Sequence, residues 1–160
     1  MKRVLVKSVH GAFDYVMEHY YPYGMAAAAA EQGALMDTYA VISIQDSHTD
    51  GFGVTFAENQ FCKGVLTLYF DDIVTEVDGA VLFDDDMADK IIDFIEKHRK
   101  VADTLLVHCY AGQSRSRAVG AFVVEMLGGD NSKYFEEGTP NQYIYDVLES
   151  AWVRKQLSRM

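Results

Sequence analysis

Short apolar runs and longer amphipathic stretches alternate along this chain. Runs rich in Val, Ile, Leu and aromatic residues occupy Arg3 to Val9, Tyr39 to Ile44, Val65 to Phe70 and Thr104 to His108. Such runs are too brief for helices and are bounded by polar residues, so they predict strands. Helical spacing is clearest over Asp84 to Lys100, where Met87, Ala88, Ile91, Ile92 and Ile95 fall on one face. Asp84, Asp85 and Asp86 crowd its start and Lys97, Arg99 and Lys100 its end, the order that the helix dipole favours. Ser116 to Leu127 is stopped by Gly128-Gly129, and Asn141 to Leu157 begins behind Pro140. Phe13 to Tyr20 and the alanine-rich Met25 to Gln32 complete the predicted helices. Strands alternating with helices imply an α/β fold: a central, mostly parallel sheet of about four or five strands flanked by helices. No repeat or linker divides the 160 residues, so residues 1–160 are expected to form a single domain. The longest irregular segments, Gly51-Phe52-Gly53 and Asp71 to Asp86, are of the kind that often carries function in a small domain.

Composition narrows the function. Fourteen basic residues against 24 acidic ones give a net charge of −10. A surface this acidic repels nucleic-acid phosphates and anionic lipid, so neither nucleic acid nor membrane is an expected partner. No apolar stretch nears the roughly 18 residues of a membrane helix. The opening Met1 to Lys7 is broken by Lys7 and predicts a strand, not a signal peptide. Two cysteines, Cys62 and Cys109, cannot build a disulfide framework, and a reducing cytoplasm is expected. The five histidines, His10, His19, His48, His98 and His108, lack metal-ligand spacing, so neither a metal nor another cofactor is expected.

One segment concentrates the candidate chemistry. His108-Cys109-Tyr110-Ala111-Gly112-Gln113-Ser114-Arg115-Ser116 joins the apolar run Leu105-Leu106-Val107 to a predicted helix. A reactive group at the C-terminal end of a parallel strand, facing a helix N-terminus, lies where α/β sheets bind ligands. Five residues between Cys109 and Arg115 allow a tight loop, and Gly112 supplies the backbone freedom it needs. Loop amides and a helix N-terminus form an anion nest, to which Arg115 adds a fork of donors suited to phosphate. The same field favours thiolate at Cys109, the form that attacks phosphorus. Ser116 can stabilise that thiolate, and His108 is expected to order the loop.

His108 to Ser116 resembles the H-C-x-x-G-x-x-R-[S/T] signature of cysteine-dependent protein tyrosine phosphatases, and the short chain looks like the compact dual-specificity or bacterial and phage members. The resemblance is sharp over Leu105 to Leu127. It implies two-step hydrolysis through a phosphocysteine, with Cys109 as nucleophile, Arg115 as phosphate clamp and Ser116 as thiolate partner. It also implies that Tyr110, Ala111, Gly112, Gln113, Ser114 and Arg115 cradle the substrate, and that no metal takes part. The leaving group needs a proton. The family takes it from an aspartate after an earlier strand, which here points to Asp72, with neighbouring Asp71 as the rival. Two adjacent carboxylates repel, which is expected to raise the pKa of one.

Other residues read as structure. Asp78 and Asp84 to Asp86 are loop and helix-start charges, Asp46-Ser47-His48 is a polar turn or a cleft border, and Asn141 is a helix cap or a water-positioning group. Cys62 reads as a small buried hydrophobe, with a resolving role towards Cys109 as its alternative. Phe52, Phe56 and Phe61 form either a wall for a phenyl ring or a packed surface loop. The loop interior has no Lys or Arg, which argues against a polyanionic head group. The expected partner is a phosphoprotein or phosphopeptide carrying phosphotyrosine, alone or together with phosphoserine and phosphothreonine. A phosphopeptide-binding module without turnover and a thiol-coupled reductase or sulfurtransferase are the alternatives.

Overall fold

The computed structural model describes residues 1–20, 37–48 and 52–160. Its elements run β1 (Arg3–Ser8), α1 (Val9–Tyr20), β2 (Tyr39–Gln45), β3 (Cys62–Tyr69), α2 (Asp85–His98), β4 (Thr104–Cys109), α3 (Arg115–Met126), α4 (Ser132–Glu136) and α5 (Gln142–Ser158). The four strands form one sheet in the order β1-β4-β2-β3, and every pair is parallel. All four strands therefore end at the same edge, so the segments that follow them meet there although they are far apart in sequence.

The two inner strands explain the apolar runs. Every residue of β2 and β4 is buried, as expected of strands covered on both faces. On one face α1 packs Ala12, Val16 and Tyr20 against Val41 and Leu106. On the other, Ile91, Ile92 and Ile95 of α2, Val119 and Phe122 of α3 and Leu148 of α5 close over Ile42, Ile44, Leu105 and Val107. Asp84 caps α2 by accepting from the Met87 amide at 2.9 Å, and Asn141 caps α5 by accepting from Ile144 at 3.1 Å. Among the described residues, no helix is long and apolar enough to cross a membrane.

The structure departs from the predicted elements most clearly at three places. Val9 belongs to α1, not β1, because the chain turns straight from strand to helix and the Val9 amide donates to Tyr110 O at 3.1 Å. The early glycine Gly11 obscures that helix start in the sequence. Strand β3 begins at Cys62, three residues before Val65, where Lys63 and Gly64 weaken the apolar signal. Gly64 is required there: a Cβ would lie 2.3 Å from His98 Nε2. The five-residue α4 was not expected, being too short to show periodicity. The predicted helix Met25 to Gln32 lies outside the described residues.

Candidate active site

Cys109 ends β4 and Arg115 opens α3, so residues 110–114 form the loop between them. Gly112 holds φ at +75°, and a Cβ there would stand 2.6 Å from Ser8 N and 2.7 Å from Lys7 C. Glycine thus meets both a left-handed backbone and a close approach to β1. Its N–H donates to Cys109 Sγ at 3.3 Å, while Ser116 Oγ lies 3.1 Å from the same sulfur. Cys109, Arg115 and Ser116 are buried, whereas Tyr110, Ala111 and Gln113 line the exposed rim. Ser114 is the N-cap residue of α3 but makes no side-chain capping bond. Its hydroxyl turns away and donates to Asp72 Oδ1 at 2.7 Å, leaving the helix N-terminus uncapped by that side chain.

Arg115 is anchored from one side. Its Nη1 donates to Phe70 O at 2.8 Å and pairs with Asp46 Oδ1 at 2.6 Å. Nε and Nη2 have no hydrogen-bond partner among the described residues. No buried side-chain nitrogen is unpaired there, so this edge of the guanidinium remains accessible.

Beneath the loop runs a chain of hydrogen bonds. Gln45 Nε2 donates to Ser43 Oγ at 2.7 Å, Ser43 Oγ lies 2.7 Å from His108 Nε2, and His108 Nδ1 lies 3.2 Å from Cys109 O. Burial pushes the His108 pKa down, and the positive charge of Arg115 adds to that against the opposing bond to Cys109 O. A neutral ring with its proton on Nδ1 satisfies every link: Ser43 donates to Nε2, and Nδ1 donates to Cys109 O.

The structure separates the two adjacent aspartates. Asp71 accepts from the Ser47 amide at 3.1 Å and the Val81 amide at 2.8 Å, with a further bond from the Ser47 hydroxyl. His48 Nε2 lies 3.9 Å from it. Burial alone pushes the Asp71 pKa up, but the donors from Ser47 and Val81, with His48, outweigh it and hold the carboxyl below its usual range. The rise expected from carboxylate repulsion is therefore not found at Asp71. Asp72 is exposed and leans over the loop, where Ser114 Oγ and Asn141 Nδ2 (2.8 Å) both donate to Oδ1. Its Oδ2 has no hydrogen-bond partner among the described residues.

Asn141 does more than cap α5. The same Nδ2 donates to Ile73 O at 3.1 Å, and its backbone amide donates to Ser114 O at 3.2 Å. One buried side chain thus joins the Asp72 segment, the cysteine loop and a helix start.

Sequence reasoning did not assign Asp46 to Arg115, nor Ser43 and Gln45 to His108. The usable signals were present: Asp46 directly follows β2, and two polar residues alternate within an otherwise apolar strand. Asp46-Ser47-His48 borders the site, since Asp46 holds Arg115 while Ser47 and His48 hold Asp71. The three phenylalanines divide. Phe61 is core, Phe56 lies 5.5 Å from the His108 ring, and Phe52 lies 5.4 Å from the exposed Tyr110 ring at the rim. Cys62 is buried at the opposite end of the sheet, level through Tyr39 with Thr104. Five residues of β4 separate Thr104 from Cys109, roughly 16 Å, which rules out a disulfide between the two cysteines in this fold. Among the described residues, no cluster of His, Cys, Asp or Glu could hold a metal ion.

No family model matches the sequence, and no curated protein sequence matches it. Solved structures do match the fold. Human tyrosine phosphatase-like serine/threonine/tyrosine-interacting protein aligns over 83% of this chain and 85% of its own, with 19% identity and a TM-score of 0.51. Human DUSP28 aligns over 97% and 94%, with 17% identity and a TM-score of 0.51. The PTP-2 phosphatase of Cydia pomonella aligns over 94% and 86%, with 16% identity and a TM-score of 0.51. The chain has the fold of the cysteine-dependent protein tyrosine phosphatases.

Proposed function

We propose that this protein, acting as a single domain, is a cytoplasmic phosphatase that removes phosphate from tyrosine in proteins. Serine and threonine phosphates are further substrates, and no metal takes part. One observation carries the reading: Cys109 Sγ accepts from the Gly112 amide and lies 3.1 Å from the Ser116 hydroxyl, at the start of the helix that Arg115 opens. The accessible Nε–Nη2 edge of Arg115 suits two oxygens of a bound phosphate. The thiolate attacks phosphorus, an S–P bond forms and the P–O bond to the leaving group breaks. Asp72 delivers a proton to the departing oxygen from its unpartnered Oδ2. Water then attacks the phosphocysteine and gives its proton back to Asp72. Sulfur leaves as thiolate, stabilised by Ser116 and Gly112. Loop residues 110–114 cradle the phosphate, and the Phe52–Tyr110 pair offers an aromatic wall to a phenyl ring. Asp46, Asp71, Asp72, Glu76 and Asp78 on the strand-end segments favour peptides with basic residues beside the phosphate.

The test is hydrolysis of p-nitrophenyl phosphate with a chelator present and at mildly acidic pH, comparing wild type with Cys109→Ser. Turnover by wild type and only background from an equally stable variant is expected. A folded wild type that binds phosphotyrosine peptide without releasing phosphate would overturn the enzymatic reading and leave a binding module. Sulfur transfer from thiosulfate without phosphate release would point to the thiol-coupled alternative.

A further inference from the structure

A cavity of about 530 Å³ lies away from the cysteine loop, between the edge strand β3 and helix α2. Its volume falls within the range of small-molecule sites. Lys90, Phe94 and His98 line it at four-residue intervals along one face of α2, with Lys97 beside them. Phe56 and Leu66 form apolar wall on the opposite side. The wall residue Phe56 is the one that also packs on His108.

Three features distinguish this cavity from a surface irregularity. His98 is only 6% exposed, and its Nδ1 donates to Phe94 O at 2.8 Å, so a neutral ring presents the Nε2 lone pair. Nε2 has no partner among the described residues, and no buried side-chain nitrogen is left unpaired there, so it opens on the cavity. Gly64 makes room for the His98 ring at the cavity wall, because a Cβ there would lie 2.3 Å from that nitrogen. Lys90 and Lys97 make no ion pair among the described residues, which is notable in a chain of net charge −10. Of the acidic residues at the same wall, Asp93 is already paired with Lys155, and Glu58 stands across from α2.

We propose that this cavity binds an elongated aromatic anion that carries a hydroxyl at the end away from its charge. Eight residues of helix separate Lys90 from His98, about 12 Å, a span suited to two fused rings with their substituents. The anion meets Lys90, the rings lie against Phe94 between Phe56 and Leu66, and the hydroxyl donates to His98 Nε2. Lys97 adds charge at the His98 end. The site is independent of the phosphatase reading.

The test uses the full chain and the hydroxynaphthoate whose hydroxyl and carboxylate sit on opposite rings. Binding is read by fluorescence titration and by amide chemical-shift mapping. Saturable binding is expected, with shifts at Gly64 to Leu66 and Phe94 to His98. Reversing the exposed lysines, Lys90→Glu with Lys97→Glu, is expected to weaken it roughly tenfold or more, while Lys133→Glu leaves it unchanged. Naphthoate without the hydroxyl is expected to bind several-fold more weakly, as the His98 acceptor then goes unmet. Shifts confined to Cys109 to Ser116 would put the carboxylate in the anion loop and overturn the proposal. So would binding indifferent to the lysine reversals, equal affinity for the two naphthoates, or no saturable binding.

Discussion

Asp71 and Asp72 are adjacent and chemically identical, yet their surroundings give them different work. Asp71 accepts from Ser47 and Val81 and stays ionised as a clamp. Asp72 holds its Oδ1 towards Ser114 and Asn141. Asp72→Asn is therefore expected to lower kcat for phosphotyrosine peptide by roughly 10²–10³-fold, with a smaller loss for p-nitrophenyl phosphate, whose leaving group needs less protonation. Asp71→Asn is expected to act on stability more than on kcat, which steady-state kinetics beside thermal melts would show. An equal kcat loss in both variants would contradict the division. Gly112→Ala meets a φ of +75° and the backbone of Lys7 and Ser8. A cost of about 1–3 kcal/mol is expected in urea unfolding, with weaker binding of inorganic phosphate. At this scale the sequence was informative where chemistry is local: Cys109, Gly112, Arg115 and Ser116 sit at fixed offsets within one loop. It marked Asp46 as a polar turn or cleft border but not as the partner of Arg115, a neighbour 69 positions away that only the fold brings to 2.6 Å.

Elements meet at Asn141. Its side chain caps α5 and ties down Asp72 and Ile73, and its amide holds Ser114 O. Asn141→Ala is expected to cost about 1–2 kcal/mol for the lost cap and to lower kcat through a loosened Asp72. Asn141→Ser, which keeps a capping acceptor but withdraws the amide donor from Asp72, should recover stability without recovering kcat. Recovery of both would make the cap the whole role. Capping was legible from Pro140-Asn141, but the second duty was not, because nothing local marks residues 71–73 as neighbours of position 141. Element boundaries failed for a related reason. Gly64 departs from strand preference to make room for His98, and Gly11 hides how early α1 begins. The fully buried strands β2 and β4, whose residues are mostly apolar, were read almost to the residue.

For the molecule as a whole, pH links the site to stability. An unperturbed histidine takes up a proton near pH 6.5, whereas burial holds His108 neutral to lower pH. Below about pH 6.5 the unfolded chain then binds more protons than the native state. The contribution is full above that pH and declines as pH falls towards the depressed native pKa. Asp71 and Asp103 act lower. Asp103 is held down chiefly by the Thr38 amide. Both carboxyls lose their contribution as pH falls below the ordinary aspartate value, about 3.9, through their lowered native pKa values. Urea unfolding is expected to show two declines on acidification, the first reduced in His108→Gln. A single decline near the carboxylate range would contradict the His108 assignment. The parallel α/β architecture was legible from alternating strands and helices, and its consequence for function is that four strand ends deliver distant residues to one edge.

The most direct measurement of the central claim is acid quenching during turnover of an aryl phosphate, followed by mass spectrometry of the peptide containing Cys109. A phosphoryl group on Cys109 is predicted, absent from Cys109→Ser and more abundant in Ser116→Ala, where sulfur is a poorer leaving group. Steady hydrolysis without that adduct in either wild type or Ser116→Ala, and undiminished in Cys109→Ser, would contradict it.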